Sequence, residues 1–419
     1  MQSKTGKNLL GVYGVQFGSI VLPLILIPLM ARTLGPELWG HFVTLQALAL
    51  ALTLVVDYGF GFSATRYIAR HQDDPQAIRD CVNAVLSAKA LLALLLLLIA
   101  AVIFMTMPAF QESPWGFWAA MIFAITQGSS PLWYFQGKED VFPVAVRDIS
   151  LRALATIVLV LTLKDFSNDW YYFLVFSLFN GLSYIYSTLL MLRETGRYEI
   201  KPSKIIYFLK DGAQMFIFRA FGSLYGVTNV MLLRTFASAS AVGFYSNAEK
   251  SVGVSRSMLP PFTQVMFPKV ASLLSKDPEK AWQALMKSYA ILLLASLAMS
   301  TGLYILSDWI IALLFGNAYM ASSRIMKILS IALPFVATYD VFGIQWLLSL
   351  GKDKVFTNIT VFCSLVALAI ACFIAAPYGA RGLAYCSVFI DGLSASLMVI
   401  YALRYRRKLF SNEIDGREL

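Results

Sequence analysis

The chain has 419 residues, of which 58% are hydrophobic and 14% charged, against roughly 45–50% and about 25% in soluble domains. With a mean hydropathy of +0.67, that composition excludes an ordinary soluble enzyme. The apolar residues fall in runs of about 20, long enough for a hydrocarbon core of roughly 30 Å, which also excludes an outer-membrane barrel of short alternating strands.

Lys4 and Lys7 precede an apolar run from Leu9 to Met30. The run is too long for a signal-peptide core and lacks a small-residue cleavage site, so it reads as a retained first span. Breaks at glycine, proline and charge then predict an all-α membrane protein of about twelve transmembrane helices. Their limits are near 9–31, 42–64, 82–107, 115–135, 146–163, 170–192, 212–233, 243–267, 286–306, 325–349, 355–376 and 380–403. No connecting loop is long enough to hold a soluble domain.

Basic residues orient these spans. With both termini cytoplasmic, 24 of the 34 Lys and Arg residues fall on the cytoplasmic side and six outside, a strong positive-inside signal. Arg147 and Arg152 are counted here with the cytoplasmic end of the fifth span. The net charge of +10 then belongs to a membrane face with anionic lipids rather than to nucleic acid. Cys81, Cys363, Cys372 and Cys386 have no metal or disulfide spacing. The two histidines, His41 and His71, offer little for a metal or catalytic centre, and no metal or cofactor is expected.

Two internal echoes suggest a duplicated six-span unit. RTLGPELWGHF from Arg32 is answered by RTFASASAVGFY from Arg234, and WYFQGKEDVF from Trp133 by WLLSLGKDKVF from Trp346; the shared elements lie 202 and 214 residues apart. An even number of spans per copy implies two six-helix lobes, residues 1–200 and 201–419, related by a pseudo-two-fold axis along the membrane normal.

Ionisable groups inside spans cost at least about 2.5–3.5 kcal/mol each on insertion scales and usually face a bundle interior or a wet cavity. The cations so placed are Lys89, Arg219, Lys250 and Arg256; the acids are Asp57, Glu249, Asp340 and Asp391. Spans four, five, six, nine and eleven read as free of them. Arg219, Lys250 and Arg256 cluster on the seventh and eighth spans, where arginine forks could clamp phosphate oxygens; structural ion pairing is the competing reading. Lys89 either contacts substrate or snorkels to the nearby cytoplasmic end. The acids either carry a coupling proton or sodium ion or merely neutralise a cation. Pro28 in the first span, Pro260 and Pro261 in the eighth and Pro334 in the tenth are expected to bend helices, as is Pro23. Gly11, Gly14, Gly18 and the Gly222/Gly226 pair offer small faces for helix contact. Trp39, Trp115, Trp133, Trp170, Trp309 and Trp346 read as an interfacial belt.

The blocks RTLGPELWGHF, FQGKEDVF, VGFYSNAEK, FGNAYMASSRIMKIL and PYGARGLAY, in that order along the chain, resemble those of Wzx-type polysaccharide (O-antigen) flippases of the multidrug/oligosaccharidyl-lipid/polysaccharide superfamily. The resemblance implies a MATE-like two-lobe fold in the bacterial inner membrane. It also implies translocation of an undecaprenyl-pyrophosphate-linked oligosaccharide to the periplasmic leaflet by alternating access. Arg219, Lys250 and Arg256 would lie on cavity-lining spans, Lys89 would not, and the first span lacks the arginine that some lipid flippases carry. The implied partners are the lipid-linked oligosaccharide, membrane lipids, and polymerase and chain-length proteins of the pathway, for a chain acting as a monomer. No Gly-x-x-x-x-Gly-Lys-Ser/Thr loop is present, so the expected energy source is an H+ or Na+ gradient or downstream consumption of the substrate. The alternatives are a MATE-like drug/cation antiporter and a membrane polymerase or ligase; the second usually requires a large periplasmic loop that this sequence lacks.

Overall fold

The computed structural model describes residues 2–162, 168–196 and 199–414, and within them the side-chain surroundings from residue 25 onward except at 218, 221–225, 408 and 410–414. Gly11, Gly14, Gly18, Pro23 and Gly222 therefore lie outside the described residues as far as their packing is concerned.

Among the described residues the chain is helical, with no strand. The helices are α1 (Gln2–Asp57), α2 (Phe60–Arg70), α3 (Pro75–Thr106), α4 (Pro108–Gln111), α5 (Pro114–Gly128), α6 (Leu132–Gly137), α7 (Phe142–Thr162) and α8 (Asp169–Thr195). They continue with α9 (Pro202–Phe236), α10 (Ala239–Arg256), α11 (Leu259–Leu274), α12 (Pro278–Phe315), α13 (Met320–Ser330), α14 (Leu333–Tyr339) and α15 (Asp353–Ile414), a π-helical stretch Asp340–Leu348 joining α14 to the turn before α15. Among the described residues, six helical stretches are long and apolar enough to cross a membrane: Ile25–Arg70, Pro75–Thr106, Asp169–Thr195, Pro278–Phe315, Asn317–Leu348 and Asp353–Arg407. Two of the longest helices, α1 and α15, are each bent at one glycine, Gly35 (φ 74°) and Gly379 (φ 54°). These bends fall in the gaps between the expected first and second and the expected eleventh and twelfth spans.

Helix starts follow a simple local rule. Asp74, Ser113 and Asp277 each accept hydrogen bonds from backbone N–H groups of the first turn, and each is followed by proline. The side chain satisfies donors that have no intrahelical partner, and proline supplies a helical φ where its missing N–H costs nothing. The same logic corrects the expected hinges. Pro260, Pro261 and Pro334 stand in the first turns of α11 and α14 rather than inside a bent span, and the expected eighth span is two helices broken at Ser257 and Met258. Pro28 sits in α1 without a break of its own, since the only non-helical residue there is Gly35.

The tryptophans also depart from a uniform belt. Trp39, Trp133 and Trp346 are fully buried, whereas Trp115 and Trp309 are exposed. In both copies of the second echo the buried indole is followed by a tight reversal closed five residues back: Asp140 N–H donates to the Phe135 carbonyl at 2.9 Å and Lys352 N–H to that of Leu347 at 3.0 Å. The aligned glycines differ in role. A Cβ on Gly137 would stand 2.7 Å from Ile68 Cβ, so this glycine admits α2, while Gly351 has open space and a φ of 67° that serves the turn.

The helices gather into two compact units, Met1–Met231 and Leu232–Leu419. The lobe limit expected at 200/201 lies at the start of α9, whose residues up to Met231 belong to the first unit. In the first unit α5 and α7 pack on α1, α8 packs on α5 and α7, and α3 packs on α1 and α2. Phe60, Ile68, Val82, Trp133, Tyr134 and Phe208 share one core. In the second unit α12 packs against α11, α13 and α14, and α15 against α13, α14 and the π-helical stretch.

The turn between α1 and α2 sets where α9 can lie. Tyr58 (φ 48°) and Gly59 (φ 79°) are both left-handed, and the Tyr58 ring stacks on Phe216 at 4.8 Å. A Cβ on Gly59 would meet Met215 Cβ at 2.8 Å and the Phe216 amide nitrogen at 3.1 Å. Gly59→Val therefore combines left-handed strain with overpacking against backbone and is expected to cost roughly 1–3 kcal/mol. Gly302→Ala, where a Cβ meets nothing within 4 Å, should be neutral. Equilibrium unfolding of the two variants in mixed micelles checks the contrast, and equal stability would refute it.

Candidate functional site

The α1 helix ends at Asp57, and that end is where charge collects. An Arg219 guanidinium nitrogen from α9 donates directly to Asp57 Oδ2. From α3, the Lys89 ammonium lies 4.0 Å from Asp57 Oδ1. Lys89 is only 4% exposed and does not snorkel; it donates to the carbonyls of Gly128 at 2.8 Å and Ser130 at 2.9 Å. These are carbonyls at and just past the C-terminal end of α5, which lack intrahelical donors and carry the negative end of the helix dipole. One ammonium thus caps α5 and neutralises part of Asp57. Gly128 lets α1 and α5 come this close, for a Cβ there would stand 2.5 Å from Val56 Cβ.

Beside this cluster the first unit encloses a cavity of about 460 Å³. Its apolar wall includes Leu26, Met30 and Phe42 of α1 and Phe123 of α5; its polar lining includes Gln46, Gln127, Asp57, Arg219 and Arg152. Tyr172 of α8 also lines it and hydrogen-bonds Gln46. Two arginines and one aspartate leave a formal charge of +1 on the lining. Because Arg219 is bound to Asp57, the remaining positive charge of the lining is that of Arg152, which lies within electrostatic reach of Asp148. Its guanidinium makes a long bond of 3.4 Å to the Tyr184 hydroxyl, and its buried Nε has no hydrogen-bond partner among the described residues. An orphaned guanidinium N–H in a cavity wall is costly unless something comes to it.

Arg152 was not among the candidates from sequence, and its placement is a correction. The fifth span, read as free of ionisable groups, carries Arg147, Asp148 and Arg152 within α7. Arg147 donates to Ser183 Oγ at 3.1 Å and to Ser187, and Ser183 donates to Asp148. These contacts fasten α7 to α8 and take up Arg147 and Asp148, while Arg152, one turn on, reaches the cavity. Counting basic residues toward one membrane face assigns Arg147 and Arg152 to the end of the span, and Asp148 stands between them unread. The available signal was the mostly apolar sequence from Ala153 to Thr162 beyond Arg152, which leaves it midway along α7 rather than at its end.

The remaining candidates lie in the second unit. Arg256, in the last turn of α10, pairs with Asp391 of α15 at 2.7 Å, and it lies within electrostatic reach of Asp340 and Glu249 as well. Lys250 stands beside Glu249. Two cations therefore face three acids. Asp340 is buried at the start of the π-helical stretch, and nearby Gln345 accepts from Ser288 at 2.7 Å. Both arginines singled out from sequence thus stand in ion pairs.

A helical bundle whose unit holds a cationic, partly polar cavity is the design of a multi-pass membrane transporter, and the comparisons agree on that class. The fold is similar to that of a lipid II flippase, MurJ, in an inward closed conformation (TM-score 0.72, 14% identity, 94% of this chain and 87% of that one). It is also similar to that of a multidrug resistance MATE family transporter of the MOP superfamily in an inward-facing conformation (TM-score 0.66, 14% identity, 96% and 99%). A protein of Escherichia coli (strain K12) described as "Putative O-antigen transporter" is 26% identical over 401 residues, covering 94% of this chain and 96% of that one. Residues 5–274 match the family described as "Polysaccharide biosynthesis protein". The chain belongs to that family, and its fold is that of transporters, not of an enzyme.

The cluster at Asp57 has a measurable signature. Asp57→Asn leaves two cations facing a neutral amide and should destabilise the purified protein, whereas adding Arg219→Gln should restore part of the loss. A double-mutant cycle is expected to show coupling of roughly 0.5–3 kcal/mol. Strictly additive effects would mean that the pair contributes nothing.

Proposed function

We propose that this protein flips an undecaprenyl-pyrophosphate-linked oligosaccharide from the cytoplasmic to the periplasmic leaflet of the bacterial inner membrane, for surface polysaccharide of the O-antigen type. The observation that carries the reading is the Arg152 guanidinium, unsatisfied at Nε in the wall of a cavity of about 460 Å³. That volume falls in the usual range for small-molecule sites, roughly 300–1,000 Å³. A diphosphate in hydrocarbon would leave several polar groups unsatisfied, each costing several kcal/mol, so a wet cationic cavity removes most of the barrier to flipping. No bond is made or broken. The lipid tail stays in the bilayer while the headgroup uses the cavity, which opens in turn to each face of the membrane.

Charge balance supports an ion-coupled cycle. A diphosphate diester carries two negative charges, and the lining carries +1. If Asp57 takes up one H+ or Na+, Arg219 is released and the lining rises to +2, matching the headgroup. Arg152 and Arg219 then offer planar forks suited to phosphate oxygens. When the ion leaves Asp57, Arg219 returns to it and the headgroup loses half of its counter-charge, which favours release. Lys89 stays on the end of α5 throughout as a structural cation. Arg256, Lys250, Glu249, Asp340 and Asp391 form the corresponding charged cluster of the second unit, with Asp340 and Asp391 as its ion-binding carboxylates.

The test uses cells lacking their own exporter and expressing this chain. Arg152→Ala and Arg219→Ala are each expected to lower surface polysaccharide at least tenfold with protein level unchanged, and Arg152→Lys to retain part of the activity. Full activity in both alanine variants would defeat the reading. Cation efflux is the contrary outcome: two arginines in the lining repel a cationic drug, so ethidium export dependent on this protein would replace lipid flipping with drug antiport.

A further inference from the structure

A second concavity lies in the first unit, away from the Asp57 cluster. It measures about 570 Å³ and is lined by Arg66, Arg70 and His71 at the end of α2 and by Lys204, Tyr207 and Asp211 at the start of α9. Charge in it is unbalanced. Arg66 is held by Asp211, with one guanidinium nitrogen 3.0 and 3.2 Å from the two carboxylate oxygens. Asp80 serves two lysines, Lys201 at 2.8 Å and Lys204 at 3.6 Å, and the closer contact raises the Lys201 ammonium above the usual lysine value. Lys204 is left with the weaker half of one carboxylate. The Arg70 side chain makes no ion pair or hydrogen bond among the described residues. His71 Nδ1 contacts the Tyr67 carbonyl at 2.8 Å; a carbonyl only accepts, so Nδ1 carries hydrogen and Nε2 remains for a ligand.

The aromatic floor is firm. The His71 ring stacks on Tyr67 at 4.2 Å, and Tyr67 packs edge-on against buried Phe208 at 4.9 Å. Tyr207 keeps about half of its surface open. The first turn of α9 contributes Ser203 and Lys204, at the end of that helix where the dipole is positive and favours anions. The geometry points to a binding groove for a phosphate-bearing lipid headgroup, with Arg70 and Lys204 as its anion contacts and Arg66 exchanging Asp211 for the ligand.

The groove is in line with the cavity. Lys204, Asp211 and Arg219 recur at intervals of seven and eight residues, which keeps them within about 80° of one another around α9. At 1.5 Å per residue, Lys204 and Arg219 are about 22 Å apart along the axis, with the Arg66/Asp211 pair between them. A headgroup held in the groove would sit at the foot of the row of charges leading to Asp57 and Arg219. The site stands on its own geometry and survives if the flipping reading fails.

Hydrogen–deuterium exchange of the full-length protein in phosphatidylcholine nanodiscs tests the assignment, with inorganic pyrophosphate as one probe and discs containing phosphatidylglycerol as the other. Protection of segments 66–71 and 203–211 is expected with at least one probe, at least tenfold weaker in apparent affinity in Arg70→Gln/Lys204→Gln. Protection should persist in Arg152→Gln, which removes the cavity cation, and in the charge-retaining Arg70→Lys/Lys204→Arg. A response to pyrophosphate identifies a diphosphate headgroup, and a response to phosphatidylglycerol alone identifies the bilayer's own lipid. No protection with either probe, or protection unchanged in Arg70→Gln/Lys204→Gln, would overturn the groove.

Discussion

The Asp57 carboxylate organises the first unit. It ends α1, receives Arg219 from α9 and stands 4.0 Å from Lys89 of α3, which in turn caps α5 through the Gly128 and Ser130 carbonyls. Four helices meet at one acid. Each charge in the group would be costly if left alone in a low-dielectric interior, and removing one partner of such a set is usually worse than never having had it. The same dependence makes the site switchable: whatever neutralises Asp57 frees a guanidinium at the edge of the cavity.

Close backbone approach makes this geometry attainable. Gly59, Gly128 and Gly137 occupy places where a Cβ would collide with Met215, Val56 and Ile68 respectively, so α9, α1 and α2 reach distances that larger residues would forbid. Without hydrophobic contrast between lipid and side chain, packing of this kind supplies much of what holds membrane helices together. The α7/α8 pair uses the other device. Arg147, Asp148, Ser183 and Ser187 form a closed polar network, and Arg152 is left over on the cavity side.

The second unit repeats the ingredients with opposite balance. Its arginine, Arg256, is paired with Asp391 and near two further acids, so negative groups are in excess where the first unit has an excess of positive ones. The two echo segments likewise share a buried tryptophan and a five-residue reversal, while their glycines do different work. The two segments share a local backbone arrangement, while the charges in the two units differ.

Composition and periodicity alone established a multi-span helical membrane protein, because the need to pair every backbone group in hydrocarbon leaves few other solutions. The ordered sequence blocks indicated the family, and the gaps between apolar runs located the bends at Gly35 and Gly379, since glycine is the residue that tolerates positive φ. The list of intramembrane charges was legible as well, apart from Arg147, Asp148 and Arg152. Which of them are satisfied was not: Lys89 with its carbonyls, Arg219 with Asp57 and Arg256 with Asp391 are contacts between residues more than 35 positions apart. Proline positions misled for a related reason, as one residue type serves both to bend a helix and to start one, and only the path of the neighbouring chain distinguishes them. The sequence decided that charge would be buried; tertiary packing decided that the Arg152 Nε would stand in the cavity wall without a partner among the described residues, because hydrogen-bond satisfaction depends on what folds back against a side chain and not on what precedes it.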